Sequence, residues 1–297
     1  MAFRLGRRAA RMAVVVSCTL PAWAWQPALG QPEGVRADDR MVQATLVSEH
    51  RTVRPGERAW LGIRMQIEPG WHVYFDGLND TGMPMQVRWD TDDDVKIGAM
   101  VWPAPRREVT AEFILDHVYE GDALVLVPVD VPEDANPGDE IRVQGRLRWM
   151  VCKDICLLEQ GEVSIVLPVG EPGLERTKTG QAVLFAQARS RLPESETDTD
   201  SDIEIELAGS TLRVRAAQAE YLAFYPAADC AAPRDLIREG ESKSGEIVVH
   251  FEESRPRVRG LIEVRRGGAT RIHRVTIPIE DAKSVEDGSA VDPPRQR

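Results

Sequence analysis

Two cysteines separated by three residues are the best candidates for chemistry in this 297-residue chain. They close the run Trp149-Met150-Val151-Cys152-Lys153-Asp154-Ile155-Cys156. Cysteine Cα atoms must come within about 4.4–6.8 Å to form a disulfide, and a turn or single helical coil across three residues brings them there. A bridge closing so short a loop stabilises a fold by about 2 kcal/mol on the chain-entropy estimate, against nearly 5 for a 100-residue loop. The pair therefore reads better as a dithiol–disulfide couple than as a structural cross-link. Lys153 favours a thiolate and Asp154 opposes it. Two other readings fit the residues. One is a buried, inert bridge that pins a loop. The other is a metal site, which would need His72 or His117 folded nearby. The five histidines are scattered, with no HxxxH or HxH pattern, so no metal and no cofactor is expected.

Other motifs carry less. Gly82-Met83-Pro84-Met85 invites a copper reading, because thioethers suit Cu(I), yet Met85 reads as a strand core position. Cys230 has no sequence-near partner and is expected as a buried or incidental thiol. Asp92-Asp93-Asp94 reads as a solvated turn. The chain has no nucleophile elbow, P-loop or dinucleotide fingerprint.

The N-terminus points to an oxidising destination. Arg4, Arg7, Arg8 and Arg11 precede an apolar stretch from Met12 to Trp25, and Ala22-Trp23-Ala24 or Ala28-Leu29-Gly30 fits a cleavage site. This is the layout of a signal peptide over residues 1–30, and it implies a periplasmic location. Val15-Val16-Ser17-Cys18 loosely matches a lipoprotein box, and Arg7-Arg8 a twin-arginine signal, but the flanking residues fit both poorly. Cleavage would remove Cys18 and leave three cysteines, an odd number. No later segment approaches the ~18 apolar residues of a spanning helix, so no membrane span is expected after signal removal. The net charge of −11 would become −15 without the four signal arginines. So acidic a protein is a poor match for nucleic acid.

The elements that must hold the pair are strands. Ala59, Leu61, Ile63, Met65 and Ile67 alternate with polar residues, as do Met85, Val87 and Trp89, and Ile141 to Trp149. Leu124–Val129 and Val163–Val169 are further strand-like runs, and Pro55-Gly56, Pro69-Gly70 and Pro137-Gly138 mark turns. The pattern predicts an all-β fold, an antiparallel β-sandwich over residues 38–170 with its tryptophans in the core. The cysteine pair falls in the connection between the strand ending near Trp149 and the one starting near Val163. A linker, 171–202, contains the one convincing helix, Gly180 to Arg191. A second, smaller β-sandwich is expected over 203–280, and a disordered tail over 281–297.

Several motifs occur in a fixed order: Gly70-Trp71-His72-Val73-Tyr74, Gly82-Met83-Pro84, Trp102-Pro103-Ala104-Pro105, Tyr119-Glu120-Gly121 and the cysteine run. Together they resemble the N-terminal periplasmic domain of thiol:disulfide interchange proteins of the DsbD type, especially the ScsB-like branch. The resemblance covers about residues 40–170, and residues 184–189 with Phe224-Tyr225-Pro226 resemble, less specifically, the second β domain of ScsB-like proteins. It implies an immunoglobulin-like sandwich whose redox residues are Cys152 and Cys156, with Cys156 forming the mixed disulfide. It also implies electrons taken from a separate membrane-embedded thiol reductase and passed to periplasmic thioredoxin-fold proteins. The chain departs from the family pattern in having Leu158 where a proline is usual and Tyr74-Phe75-Asp76-Gly77-Leu78-Asn79 after the Trp-His step. A non-catalytic exported binding module and a copper- or metal-handling protein are the alternatives to this reading.

Overall fold

Period-two alternation in the sequence becomes pleated strands with one buried face. A computed structural model describes residues 40–92, 94–193, 203–252 and 257–278. The expected signal peptide over 1–30 with Cys18, Asp93, the acidic stretch 194–202 and the expected tail 281–297 lie outside the described residues, as do 31–39, 253–256 and 279–280. The first ten strands are β1 (Val42–Ser48), β2 (Arg58–Ile67), β3 (His72–Tyr74), β4 (Gln86–Thr91), β5 (Lys96–Ile97), β6 (Arg106–Thr110), β7 (Ile114–Tyr119), β8 (Asp122–Asp130), β9 (Glu140–Cys152) and β10 (Cys156–Pro168). They build two antiparallel sheets. One has the order β1-β2-β8-β5, the other β10-β9-β3-β7-β6, with β4 sharing with β3 the edge of β9 opposite β10. The inward faces pack Leu61, Ile63 and Met65 of β2 and Val125, Val127 and Val129 of β8 against Val143, Leu147, Trp149 and Val151 of β9. This is the antiparallel β-sandwich that the alternation predicts, in the immunoglobulin-like form that the resemblance implies.

Strand β10 begins at Cys156, seven residues before the run that starts at Val163. Its inward positions there include Glu159 and Gly161, which break the apolar alternation. Both serve Trp149. A Cβ on Gly161 would lie 3.2 Å from the indole, and the buried Glu159 carboxylate accepts the indole N–H at 3.2 Å and the Met41 backbone N–H at 2.8 Å. The cysteines therefore do not lie in a long connection. They end two paired strands.

After the first sandwich, helix α1 (Ala182–Arg189) covers the outer side of β8, packing Phe185 and Ala188 on Leu124 and Leu126. Arg189 in its last turn holds Glu49 through two bonds of 2.7 and 2.6 Å. The second, smaller sandwich comprises β11 (Ile203–Ala208), β12 (Thr211–Ala216), β13 (Tyr221–Pro226), helix α2 (Leu236–Glu239), β14 (Glu241–Ser242), β15 (Glu246–His250), β16 (Arg257–Arg266) and β17 (Ala269–Pro278). Its sheets run β11-β12-β15 and β14-β13-β16-β17 around Phe224, Phe251, Val249 and Ile262. Helix α2 is a single turn and too short for a periodic signal, so it is an addition to the one predicted helix.

The two sandwiches meet through buried polar groups. Glu263 of β16 is fully buried. It accepts bonds from Tyr225 Oη at 2.6 Å, Arg265 Nε at 2.6 Å and Arg191 Nη2 at 3.2 Å. Arg191, just past α1, also donates to the Ala104 and Pro105 carbonyls. The segment after β3 bonds directly to β13, with Leu78 N–H donating to Pro226 O at 3.0 Å and a bridge between Gly77 and Ala227. A Cβ on Gly77 would strike Pro226 O, so a glycine is needed at this crossing. His117 of β7 is fully buried, edge-on to Tyr225, and its Nδ1–H donates to Leu78 O at 2.7 Å.

Two outcomes follow for stability. Trp149→Ala should lower the unfolding free energy by about 3–5 kcal/mol, read from urea denaturation, because it empties the core beneath the cysteines and strands Glu159. Burial lowers the His117 pKa from 6.5 to about 4. Between those values the unfolded chain binds a proton that the folded protein does not. Stability from this group is therefore complete above pH 6.5 and falls by about 3 kcal/mol as the pH drops to 4. Urea midpoints compared at pH 7 and pH 4.5 should show this loss in the wild type and a smaller one in His117→Gln.

Candidate functional site

The register of β9 on β10 fixes the pair. Along β9, Trp149 and Val151 point into the core, so Met150 and Cys152 lie on the outer face. Cys152 is the direct ladder partner of Cys156. Their Cα atoms are 4.2 Å apart and their sulfurs are bonded. Lys153 N–H donates to Ile155 O at 3.1 Å and closes the three-residue loop between the strands. On its other side Cys152 pairs with His72 of β3. One cysteine thus sits between two strands and the other on an edge strand. Cys152 is 2% exposed, whereas Cys156 is exposed.

A buried phenol stands beside the exposed sulfur. Tyr74 of β3 is 1% exposed. Its Oη lies 3.8 Å from Cys156 Sγ, 3.3 Å from Thr81 Oγ1 and 3.3 Å from His72 Nε2. Thr81 spends its hydroxyl proton on Asp116 Oδ2, at 2.5 Å, and so presents a lone pair to the phenol. Tyr74 has one proton for three acceptors. Burial raises the pKa of Tyr74 and lowers that of His72. Both are therefore neutral near pH 7, and the exposed sulfur meets uncharged polar atoms.

The segment between β3 and β4 covers this cluster. Asn79 Oδ1 accepts from His117 N–H, Asp80 Oδ2 from Leu115 N–H, and Asp116 Oδ1 from Thr81 N–H, so the segment is laced along β7. Gly82 lies on the Tyr74 ring, where any Cβ would collide. Gly82-Met83-Pro84 is thus a cover over Tyr74. Met83 is half-exposed, and Met85 is buried in the core position expected of it.

The expected site residues separate clearly. Cys152 and Cys156 come together with His72. His117 instead sits at the junction of the sandwiches. Cys230 is buried in the second core, its Sγ accepting Arg259 N–H at 3.3 Å. Among the described residues no cluster of three or more His, Cys, Asp or Glu is placed to hold a metal. No helix among them is long and apolar enough to cross a membrane. Sequence reasoning missed Tyr74, Thr81 and Asp116 as neighbours of the pair. Tyr74 closes one of the recognised motifs and Thr81 stands beside another, but only strand register brings them, and Asp116, to Cys156.

Residues 43–168 match the profile of the family described as thiol:disulfide interchange protein DsbD, N-terminal. No curated protein sequence matches the chain. Among solved structures, the N-terminal periplasmic domain of ScsB from Proteus mirabilis is 14% identical, with a TM-score of 0.49 over 80% of this chain and 92% of that one. The YadV chaperone is 8% identical, with a TM-score of 0.24 over 80% and 100% of the two chains. The E. coli chaperone DraB is 11% identical, with a TM-score of 0.18 over 80% and 99%. Both cysteines and the whole β9–β10 hairpin lie inside the span that matches the DsbD N-terminal family.

Proposed function

We propose that the protein is a periplasmic thiol–disulfide interchange module in which Cys152 and Cys156 are the redox pair. The observation that carries this reading is the asymmetry of the pair: one sulfur exposed on an edge strand, its partner buried one ladder rung away. The match of residues 43–168 to the DsbD N-terminal family supports it. In this reading the redox unit spans residues 38–170, and the second sandwich, 203–280, is a separate domain docked on it.

The chemistry is two successive exchanges. The Cys156 thiolate of the reduced protein attacks a disulfide of the partner. A Cys156–partner bond forms, and one partner sulfur leaves as a thiolate that takes up a proton. The Cys152 thiol loses its proton and attacks Cys156 Sγ. The Cys152–Cys156 disulfide forms, and the second partner sulfur leaves. The second partner sulfur also takes up a proton, so the partner gains two electrons and two protons, and the module, counted from its dithiol, loses both. A membrane-embedded thiol reductase restores the dithiol, and thioredoxin-fold proteins of the periplasm receive the electrons. Tyr74 and Thr81 are positioning residues that hold uncharged polar atoms against Cys156.

Three measurements test this. In the reduced protein, iodoacetamide followed by mass analysis should modify Cys156 at least about tenfold faster than Cys152, because reactivity follows exposure and thiolate access. Cys152→Ser should accumulate a mixed disulfide through Cys156, while Cys156→Ser should lose exchange altogether. Equilibration with glutathione or dithiothreitol buffers should give a reduction potential of about −180 to −270 mV, in the range of exchange proteins. A potential below about −300 mV would make the bridge structural and the protein a binding module.

A further inference from the structure

The outer face of β4, β9 and β10 leads directly away from the cysteines, rung by rung. Cys152 pairs with Cys156, and Met150 with Leu158. Next come Gln86, Arg148 and Gln160 across the three strands, then Arg88, Arg146 and Glu162. Beyond lie Asp90, Gln144 and Ser164, and last Arg142 opposite Val166, with Arg142 bonded to Glu140 at 2.9 Å. Two zones result. Ile155 just before Cys156, Leu158 two positions after it and Met83 in the cover over Tyr74 are each about half or more exposed and make an apolar collar at this end of the face. The next two rungs carry three guanidinium groups against one carboxylate. Arg146 meets that carboxylate, Glu162, only at 3.8 Å with both side chains largely exposed. Arg88 and Arg148 have no ion-pair partner among the described residues.

This local sign opposes that of the whole molecule. The chain carries a net charge of −11. A basic zone on an acidic protein, about four strand residues or ~13 Å from the reactive sulfur, lies within the footprint of one ordinary protein interface. Exposed like charges on neighbouring strands repel one another, so the zone offers the fold nothing. It is suited to an opposite charge from outside.

We infer that this face docks a disulfide-bearing protein whose surface beside its reactive cysteine is acidic. The apolar collar seats the partner's cysteine loop, and Arg88, Arg146 and Arg148 hold its carboxylates. The inference rests on the interchange reading and names the chemistry of the partner at the same site.

The test uses three disulfides against the reduced full-length protein. The first two are cysteine peptides disulfide-bonded to 2-mercaptoethanol, one flanked by glutamates and the other by lysines. The third is the neutral bis(2-hydroxyethyl) disulfide. The net charge of the molecule alone would favour the lysine peptide. The local face should favour the glutamate peptide by about fivefold at low salt, and this preference should vanish near 0.5 M salt, where screening reaches a few ångströms. Arg88→Gln/Arg148→Gln, both exposed, should abolish the preference while leaving the neutral disulfide unaffected. Equal rates, a preference for lysine, or a glutamate preference that survives in the variant would overturn the docking face alone. If no disulfide, the neutral one included, reacts faster than with Cys156→Ser, the interchange reading falls and takes this inference with it. Sedimentation of the wild type at low salt should show a monomer. A dimer abolished by the double variant would assign the face to a second copy of the chain and overturn the acidic partner.

Discussion

The antiparallel ladder between Glu140–Cys152 and Cys156–Pro168 is the constraint on which the site depends. Thirteen paired residues end with one cysteine opposite the other. A slip of one residue would turn Cys152 into the core and Trp149 toward solvent. What fixes the register is a fit at three positions. The Trp149 indole fills the space over Gly161, and its N–H finds the buried carboxylate of Glu159, its own ladder partner. An acid and a glycine at inward positions would ordinarily weaken a strand. Here they make the pairing unique, because only one alignment satisfies the indole and the carboxylate together.

That fit also explains what was legible in the sequence and what was not. Strands with unbroken alternation, such as Arg58–Ile67 and the first part of Glu140–Cys152, announce themselves, and their periodicity alone gives the all-β class. The start of β10 does not, since Glu159 and Gly161 stand where apolar residues were sought. Alternation alone consequently leaves the cysteines in a connection between strands. Short elements such as β3, β5 and the single turn of α2 carry too few residues for any period. The pairing of Cys152 with Cys156 was legible from their spacing and motif. Its surroundings were not, because Tyr74, Thr81 and Asp116 are brought to Cys156 by pairing between distant strands. Near-neighbour patterns hold no record of such contacts.

The two sandwiches are joined by groups that are costly to bury alone. Glu263 is tolerable in the interior only because Tyr225, Arg191 and Arg265 all donate to it. His117 is tolerable because it is neutral there and bonded to Leu78 O. Leu78 belongs to the same segment that, four residues later, places Gly82 on the Tyr74 ring. One stretch of chain thus contacts the second sandwich at Gly77 and Leu78 and the cysteine cluster at Thr81 and Gly82. The second sandwich thereby helps to set the cover over Tyr74, the phenol beside Cys156.

The three-residue loop has a consequence beyond its small effect on stability. The backbone ladder brings Cys152 and Cys156 to adjacent rungs by hydrogen bonding, so opening the sulfur–sulfur bond releases almost no chain. The oxidised and reduced molecules should then have nearly the same shape. In the interchange reading such a molecule is a carrier and not a switch. It would report its oxidation state to a neighbour only through the reactivity of one sulfur, and relative potentials would set the direction in which electrons pass, with no conformational gate to enforce it.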